Sequence, residues 1–252
     1  MKNVISMGAG VQSTAMALMA EHGLITPKPD FAVFSDTGVE PPHLYAHLKK
    51  LEKKLSFPVY HTQYKNLGDD LSMVPFYIMK GGVKGMGQRR CTGDYKVKPM
   101  LKKTREILGL KPGERVDSPV VSIWVGISVD EVSRMKDSTN KWSLKRHPLI
   151  DLNFSRQDCL AWMAKNGYEK PAKSACVFCP YTDNLRWKDM KTNHPEDFKE
   201  AVRWDNIVRN MGEGFSSYLH RDAIPLEEAV FTDDDIGQTN MFNDECEGMC
   251  GI

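Results

Sequence analysis

The sequence predicts an α/β protein built on a doubly wound, mostly parallel sheet. Three observations carry this. Short β-branched and aromatic runs alternate with longer helical patterns along the first two thirds of the chain. The opening run, Met1-Lys2-Asn3-Val4-Ile5, feeds a small-residue turn and then an apolar helix. A later run, 120–126, is the most apolar in the chain. Ligands on such sheets sit at the carboxyl ends of the strands. The turns at 6–14, 35–40 and 126–131 all fall there.

The first strand ends in Ser6-Met7-Gly8-Ala9-Gly10-Val11-Gln12-Ser13-Thr14, and the helix over 15–20 is stopped by Gly23. Strand, Gly/Ser turn and helix N-terminus together make a phosphate site, because unpaired backbone N–H groups and the helix dipole face the anion. Ser6, Ser13 and Thr14 add hydroxyls, and Gly8 and Gly10 let the backbone approach closely. The turn is neither a Walker loop nor a dinucleotide fingerprint, so a plain βα turn stays open as an alternative. A second strand covers 31–34. A helix over 42–55 starts with Pro41 and Pro42, residues that helix N-termini accept. A third strand covers 58–61, and 120–126 is the fourth. The acidic start at Asp130 predicts a helix over 130–136. Ser155 and Asp158 form a capping-box pattern for a helix over 155–166.

Residues 80–105 break this alternation, with nine Lys/Arg against the single acid Asp94 and glycines at 81, 82, 85 and 87. They predict a mobile basic loop followed by a basic helix. This is either a solvated surface segment or a lid that grips an anionic substrate through Arg89, Arg90 and Lys96. After about residue 205 the chain is polar, and 232–235 predicts a helix start or turn. The organisation expected is a nucleotide-binding α/β domain over 1–204, holding the basic lid and a cysteine segment at 174–182. A C-terminal extension over 205–252 carries Cys246 and Cys250.

The 252 residues suffice for one good core. Lys and Arg number 34 against 33 Asp and Glu, for a formal net charge of +1, so overall charge announces neither nucleic acid nor membrane. With no long apolar run and no signal-like start, the expectation is a cytoplasmic protein without a membrane partner. Six cysteines in a reducing compartment argue for metal or redox chemistry over structural disulfides. Cys176-Val177-Phe178-Cys179 spaces two thiolates for a tetrahedral Zn²⁺ or one side of an iron–sulfur cluster, with a redox pair as the alternative. Further ligands must come from Cys91, Cys246 or Cys250. Cys159 sits in an amphipathic helix and reads as a small buried hydrophobe.

Two strand ends add candidates. Asp36, in Ser35-Asp36-Thr37-Gly38, can accept hydrogen bonds from a ribose or an adenine amino group, or simply cap a helix. Gly126 permits close backbone approach and is followed by Ser128. Asp130 and Glu131 suit Mg²⁺ or ribose, and Arg134 suits a phosphate or sulfate oxygen. An ordinary acidic helix start is the alternative there.

Taken in order, these segments resemble the phosphoadenosine phosphosulfate (PAPS) reductase family, within the adenine-nucleotide α-hydrolase-like, PP-loop proteins. Ser6-Met7-Gly8-Ala9-Gly10 with Ser13 resembles the nucleotide loop, and Asp36-Thr37-Gly38 the second-strand motif. Cys91 with Lys96-Val97-Lys98-Pro99-Met100 is similar to the family's Cys-Cys…Arg-Lys-Val-x-Pro-Leu. Gly126-Ile127-Ser128-Val129-Asp130-Glu131…Arg134 and Pro148-Leu149-Ile150-Asp151 match two further motifs, and Cys176/Cys179 fall at the second cysteine pair. Cys91 stands alone where cluster-bearing members have adjacent cysteines. The tail Cys250-Gly251-Ile252 echoes the reductase ending without its preceding Glu or final His.

The resemblance implies an adenine nucleotide, ATP or PAPS, held by Ser6, Gly8, Gly10, Ser13, Thr14, Asp36, Thr37, Gly38, Gly126, Ser128, Asp130 and Glu131, with Mg²⁺ an option. It implies an anionic substrate on Arg89, Arg90, Lys96 and Arg134. It also implies a [4Fe–4S] cluster, with Zn²⁺ the alternative, on Cys91, Cys176, Cys179 and Cys250 or Cys246. The remaining tail thiol is then a candidate nucleophile or sulfur carrier. Two chemistries stay open: thiol attack on a sulfonucleotide, releasing sulfite, and ATP-dependent adenylation of a substrate such as a nucleic acid, followed by sulfur insertion. Either calls on a sulfur- or electron-donor protein. The rival is a non-catalytic, zinc-stabilised nucleic-acid-binding module.

Overall fold

The computed structural model describes residues 1–171 and 174–231. β1 (Lys2–Met7) leads through the small-residue turn into α1 (Val11–Glu21). β2 (Phe31–Asp36), α2 (Pro42–Glu52) and β3 (Val59–Gln63) complete a βαβαβ run. A hairpin of β4 (Tyr77–Lys80) and β5 (Val83–Met86) follows, then a π-helical turn over Thr92–Val97 that continues into α3 (Lys98–Ile107). Next come β6 (Val121–Trp124), β7 (Ser143–Arg146), the one-turn α4 (Pro148–Asp151) and α5 (Arg156–Lys165). α6 (Asn184–Asn193), α7 (Pro195–Arg209) and the short β8 (Ser216–Tyr218) close the described chain.

The main sheet has the order β3-β2-β1-β6-β7, and each neighbouring pair is parallel. This is the doubly wound arrangement expected. Strand order reverses at β1, so the ligand crevice opens at the carboxyl ends of β1 and β6. Alternate residues sort the strands between two cores, as a period of two requires. Ile5, Met7, Ala32, Phe34 and Trp124 pack with α1, α2 and α5, through residues such as Met16, Leu48 and Met163. Val4, Val33, Val121, Ile123 and Val125 pack on the other face with Met100 of α3 and Trp142. Every residue of α1 from Val11 to Ala20 is buried, which its Ala- and Met-rich sequence permits. A third cluster gathers α6, α7 and the cysteine segment around Trp187 and Phe178.

Several expectations change. The helix expected over 130–136 is a 3₁₀ segment, Val129–Arg134, in which Glu131 leaves helical geometry at φ −118°, ψ 19°. The mobile basic loop is an ordered hairpin. Gly81 and Gly82 turn it at φ +55° and +78°, the geometry a two-residue hairpin turn needs. β4 pairs antiparallel with β8 on its other side, a second sheet that the sequence pattern did not announce. The expected boundary at 204–205 falls within α7, which runs over Pro195–Arg209. The helix over 42–55 ends at Glu52. At α5 the capping box forms: Ser155 Oγ accepts from Asp158 N–H, and the Asp158 carboxylate accepts from Ser155 N–H. Residues 232–235, Cys246 and Cys250 lie outside the described residues. Among the described residues no helix is long and apolar enough to cross a membrane.

Candidate nucleotide crevice and cysteine pocket

The turn after β1 is shaped for close approach. Ala9 sits at φ +59°, a left-handed conformation unusual for alanine, of the kind that collects at functional turns. Gly10 caps α1 without a side-chain hydrogen bond, and the first turn carries no acid, so the N–H groups there face the crevice uncompensated. Ser6 and Gly8 line a small pocket between β1 and β2 together with Ser35 and Lys96. Ser13 and Thr14, expected as hydroxyl donors to phosphate, are instead buried. Ser13 Oγ donates to the Gly10 carbonyl at 3.4 Å, and Thr14 Oγ1 meets His47 Nε2 at 3.1 Å. Gly126 is required for close packing: a Cβ there would stand 2.9 Å from the backbone nitrogen of Ser13.

At the end of β2 the Asp36 carboxylate accepts from Gly38 N–H at 2.7 Å and from the Tyr45 hydroxyl at 2.8 Å. Gly38 takes φ +76°, which closes this turn. Burial, reinforced by the neighbouring Asp36 carboxylate, pushes the Tyr45 phenol well above its usual range. Thr37 Oγ1 donates to Glu40 at 3.1 Å and lies 3.3 Å from Cys176 Sγ.

The loop after β6 places Ser128, Asp130, Glu131 and Arg134 in one network. The buried Gln12 amide donates to Ser128 Oγ at 3.4 Å and to Glu131 at 3.3 Å, and its carbonyl accepts from Arg156 at 2.7 Å. Arg134, expected to hold an anion, pairs with Glu131. Asp130 accepts from the Arg156 backbone N–H at 3.1 Å. These acids thus brace the loop against α1 and the start of α5.

Cys91, Cys176 and Cys179 come together around one narrow pocket, with Thr37, Arg89 and Lys96 in its wall. Cys91 stands where the π-helical turn begins, a local widening that often marks functional sites. Cys176 and Cys179 are buried. Val177 N–H donates to the Val39 carbonyl at 3.0 Å, which ties their segment to the loop after β2. Lys96 Nζ pairs with Glu40 at 3.2 Å, and Cys176 Sγ donates to the same carboxylate at 3.8 Å. Arg89 donates to Thr92 at 3.0 Å and stacks on Tyr181. Cys159 is fully buried in α5, as its pattern predicted.

Arg90 faces away from the cysteines. It lines an open groove of about 640 Å³ with Lys65, Lys98, Lys102 and Lys103 against the acids Asp70, Asp94 and Glu106, beside the exposed ring of Tyr64. Glu40, Gln12, Tyr45 and His47 escaped the sequence reading. Glu40 has no local signature beyond preceding two prolines, and Gln12 is an ordinary turn residue until its partners are seen.

The chain has no match among protein-family models or curated proteins. Among solved structures it is similar to a PAPS reductase from Candida auris in a phosphate complex, at 13% identity and TM-score 0.42, covering 68% of this chain and 74% of that one. It is also similar to the U34-tRNA thiolase NcsA from Methanococcus maripaludis with its [4Fe–4S] cluster, at 17% identity and TM-score 0.42, covering 85% of this chain and 73% of that one.

Proposed function

We propose that this chain is an enzyme of sulfur chemistry, binding an adenine nucleotide, ATP or PAPS, beside a cysteine-held metal centre. One observation carries the reading: Lys96 lines both the pocket between β1 and β2 and the cysteine pocket. A nucleotide phosphate on the N–H groups of α1 then lies next to the thiols, with Lys96 to steady charge between them. Asp36 and Gly126 frame the adenosine.

Three thiols lining one pocket suit a cluster, the fourth ligand coming from Cys250 or Cys246. Zn–S bonds of about 2.3 Å place the thiolates of a single zinc site about 3.8 Å apart. Among the described residues the ligand atoms that gather at single-ion spacing are those of His43, His194 and Asp197, and not the three cysteines. A cluster, whose thiolates bind different irons, is the better fit. When bound it supplies electrons or a sulfur-binding iron.

The basic groove beside Tyr64 favours a large anionic acceptor, and so the ATP-dependent thiolation of a nucleic acid, for which exposed aromatics offer stacking. Anaerobic product analysis tests both chemistries. AMP and pyrophosphate from ATP support thiolation, and sulfite with adenosine 3′,5′-bisphosphate from PAPS supports reduction. The expected Cys176→Ser variant binds nucleotide but turns over neither. Full turnover in that variant, or stoichiometric zinc without iron and sulfide at the thiols, overturns the reading.

A further inference from the structure

A second group of ligands lies outside the cysteine pocket, where the first turn of α2 meets that of α7. His43, His194 and Asp197 offer one ligand atom each, all within 4.8 Å of one another. We propose that these three side chains bind a zinc-class divalent ion that pins α2 of the nucleotide domain to α7 of the cysteine layer.

The donor set is two imidazoles and a carboxylate, the choice of zinc and its neighbours rather than of calcium or magnesium, which take oxygen ligands. The spacing agrees. His43 Nδ1 stands 3.3 Å from Asp197 Oδ2. Two ligands on a tetrahedral zinc with bonds of about 2.0–2.1 Å stand about 3.3 Å apart. His43 Nδ1 is buried against the Asp197 carboxylate with no hydrogen bond of good geometry. The two imidazole rings sit with centroids 5.4 Å apart, tilted by 36°. His194 is the exposed member of the three.

The surrounding charge is positive and by itself favours no cation. The Arg186 guanidinium of α6 acts on His43, and both helix N-termini present positive dipole ends. An ion held by charge alone gains little there, while one held by coordinate bonds to nitrogen is retained. Among the described residues the group includes none of the thiols, and it stands whether or not the nucleotide reading does.

The test is zinc content per chain after dialysis of the full-length protein against buffered zinc, with iron counted separately, and X-ray absorption at the zinc edge. The wild type is expected to hold one more zinc than His194→Ala, with a nearest shell of nitrogen and oxygen at about 2.0–2.1 Å. Removal of this exposed ligand weakens zinc binding by more than about 100-fold, beyond what loss of an outer partner costs. Asp197→Asn behaves the same way, and unchanged unfolding midpoints in metal-free buffer show that both variants fold. Equal zinc in wild type and His194→Ala, or a sulfur shell at about 2.3 Å in its place, overturns the proposal.

Discussion

The nucleotide crevice and the cysteine pocket lie side by side but are built differently. The crevice is written in one stretch: a strand end, three small residues and a helix start, with Gly126 closing against it from β6. The cysteine pocket is assembled from five separate segments, held around Phe178 and Trp187 and tied to the sheet through Val39, Glu40 and Lys96. Local backbone geometry defines the first and tertiary packing defines the second. The crevice should therefore survive damage that abolishes the pocket.

Phe178→Ala tests that separation hardest. The ring is fully buried between the two cysteines of its segment, and its loss should cost about 3–5 kcal/mol in chemical denaturation. ATP affinity of the folded fraction should change little. An equal fall in nucleotide affinity would show that the two regions are one cooperative unit. Glu40→Gln comes next. It removes the buried carboxylate that Lys96 pairs with, at about 3 kcal/mol by the same measurement. Gly126→Ala reverses the pattern: its Cβ meets the Ser13 backbone at 2.9 Å, and the strain should cost about 1–3 kcal/mol while nucleotide binding falls and iron content is kept.

One pH effect falls on the sheet side. Burial, ahead of nearby lysines, lowers the pKa of His47 and of His147 from 6.5. Their neutral forms are thus favoured by folding, and the unfolded chain takes up the protons first. Stability from these rings is fully present above pH 6.5 and is lost as pH falls through their lowered values. Denaturation midpoints should fall on acidification below that point, and His147→Gln should flatten the curve. Ser155→Ala is the mildest change, removing the α5 cap for about 1 kcal/mol in thermal unfolding with both sites intact.

What could be read in advance follows the same division. β1, its turn and α1 were legible because each residue's preference agrees with its neighbours'. The Ser155–Asp158 cap was legible for the same reason. The helix expected after Asp130 was not formed, because Glu131 leaves helical geometry and its carboxylate reaches Gln12 and Arg134, partners far away or one turn on. The Gly81-Gly82 hairpin was legible in principle, since paired glycines between short runs suit a two-residue turn. Its partner β8, three polar residues from Ser216 to Tyr218, has no pattern of its own. The cysteine spacing announced thiol chemistry, but the buried Glu40 carboxylate against Cys176 emerges only from the fold.

The order of the strands also sets an order of assembly. β1 is made first and lies at the centre of the main sheet, yet one of its edges stays open until β6 is made. The basic hairpin waits longer still, since β4 finds its second partner only at residues 216–218. On the ribosome the thiols of Cys91, Cys176 and Cys179 emerge before the strand that fastens this corner. Such distant pairings make for slow folding. These thiols are therefore made before the strand that completes the second sheet.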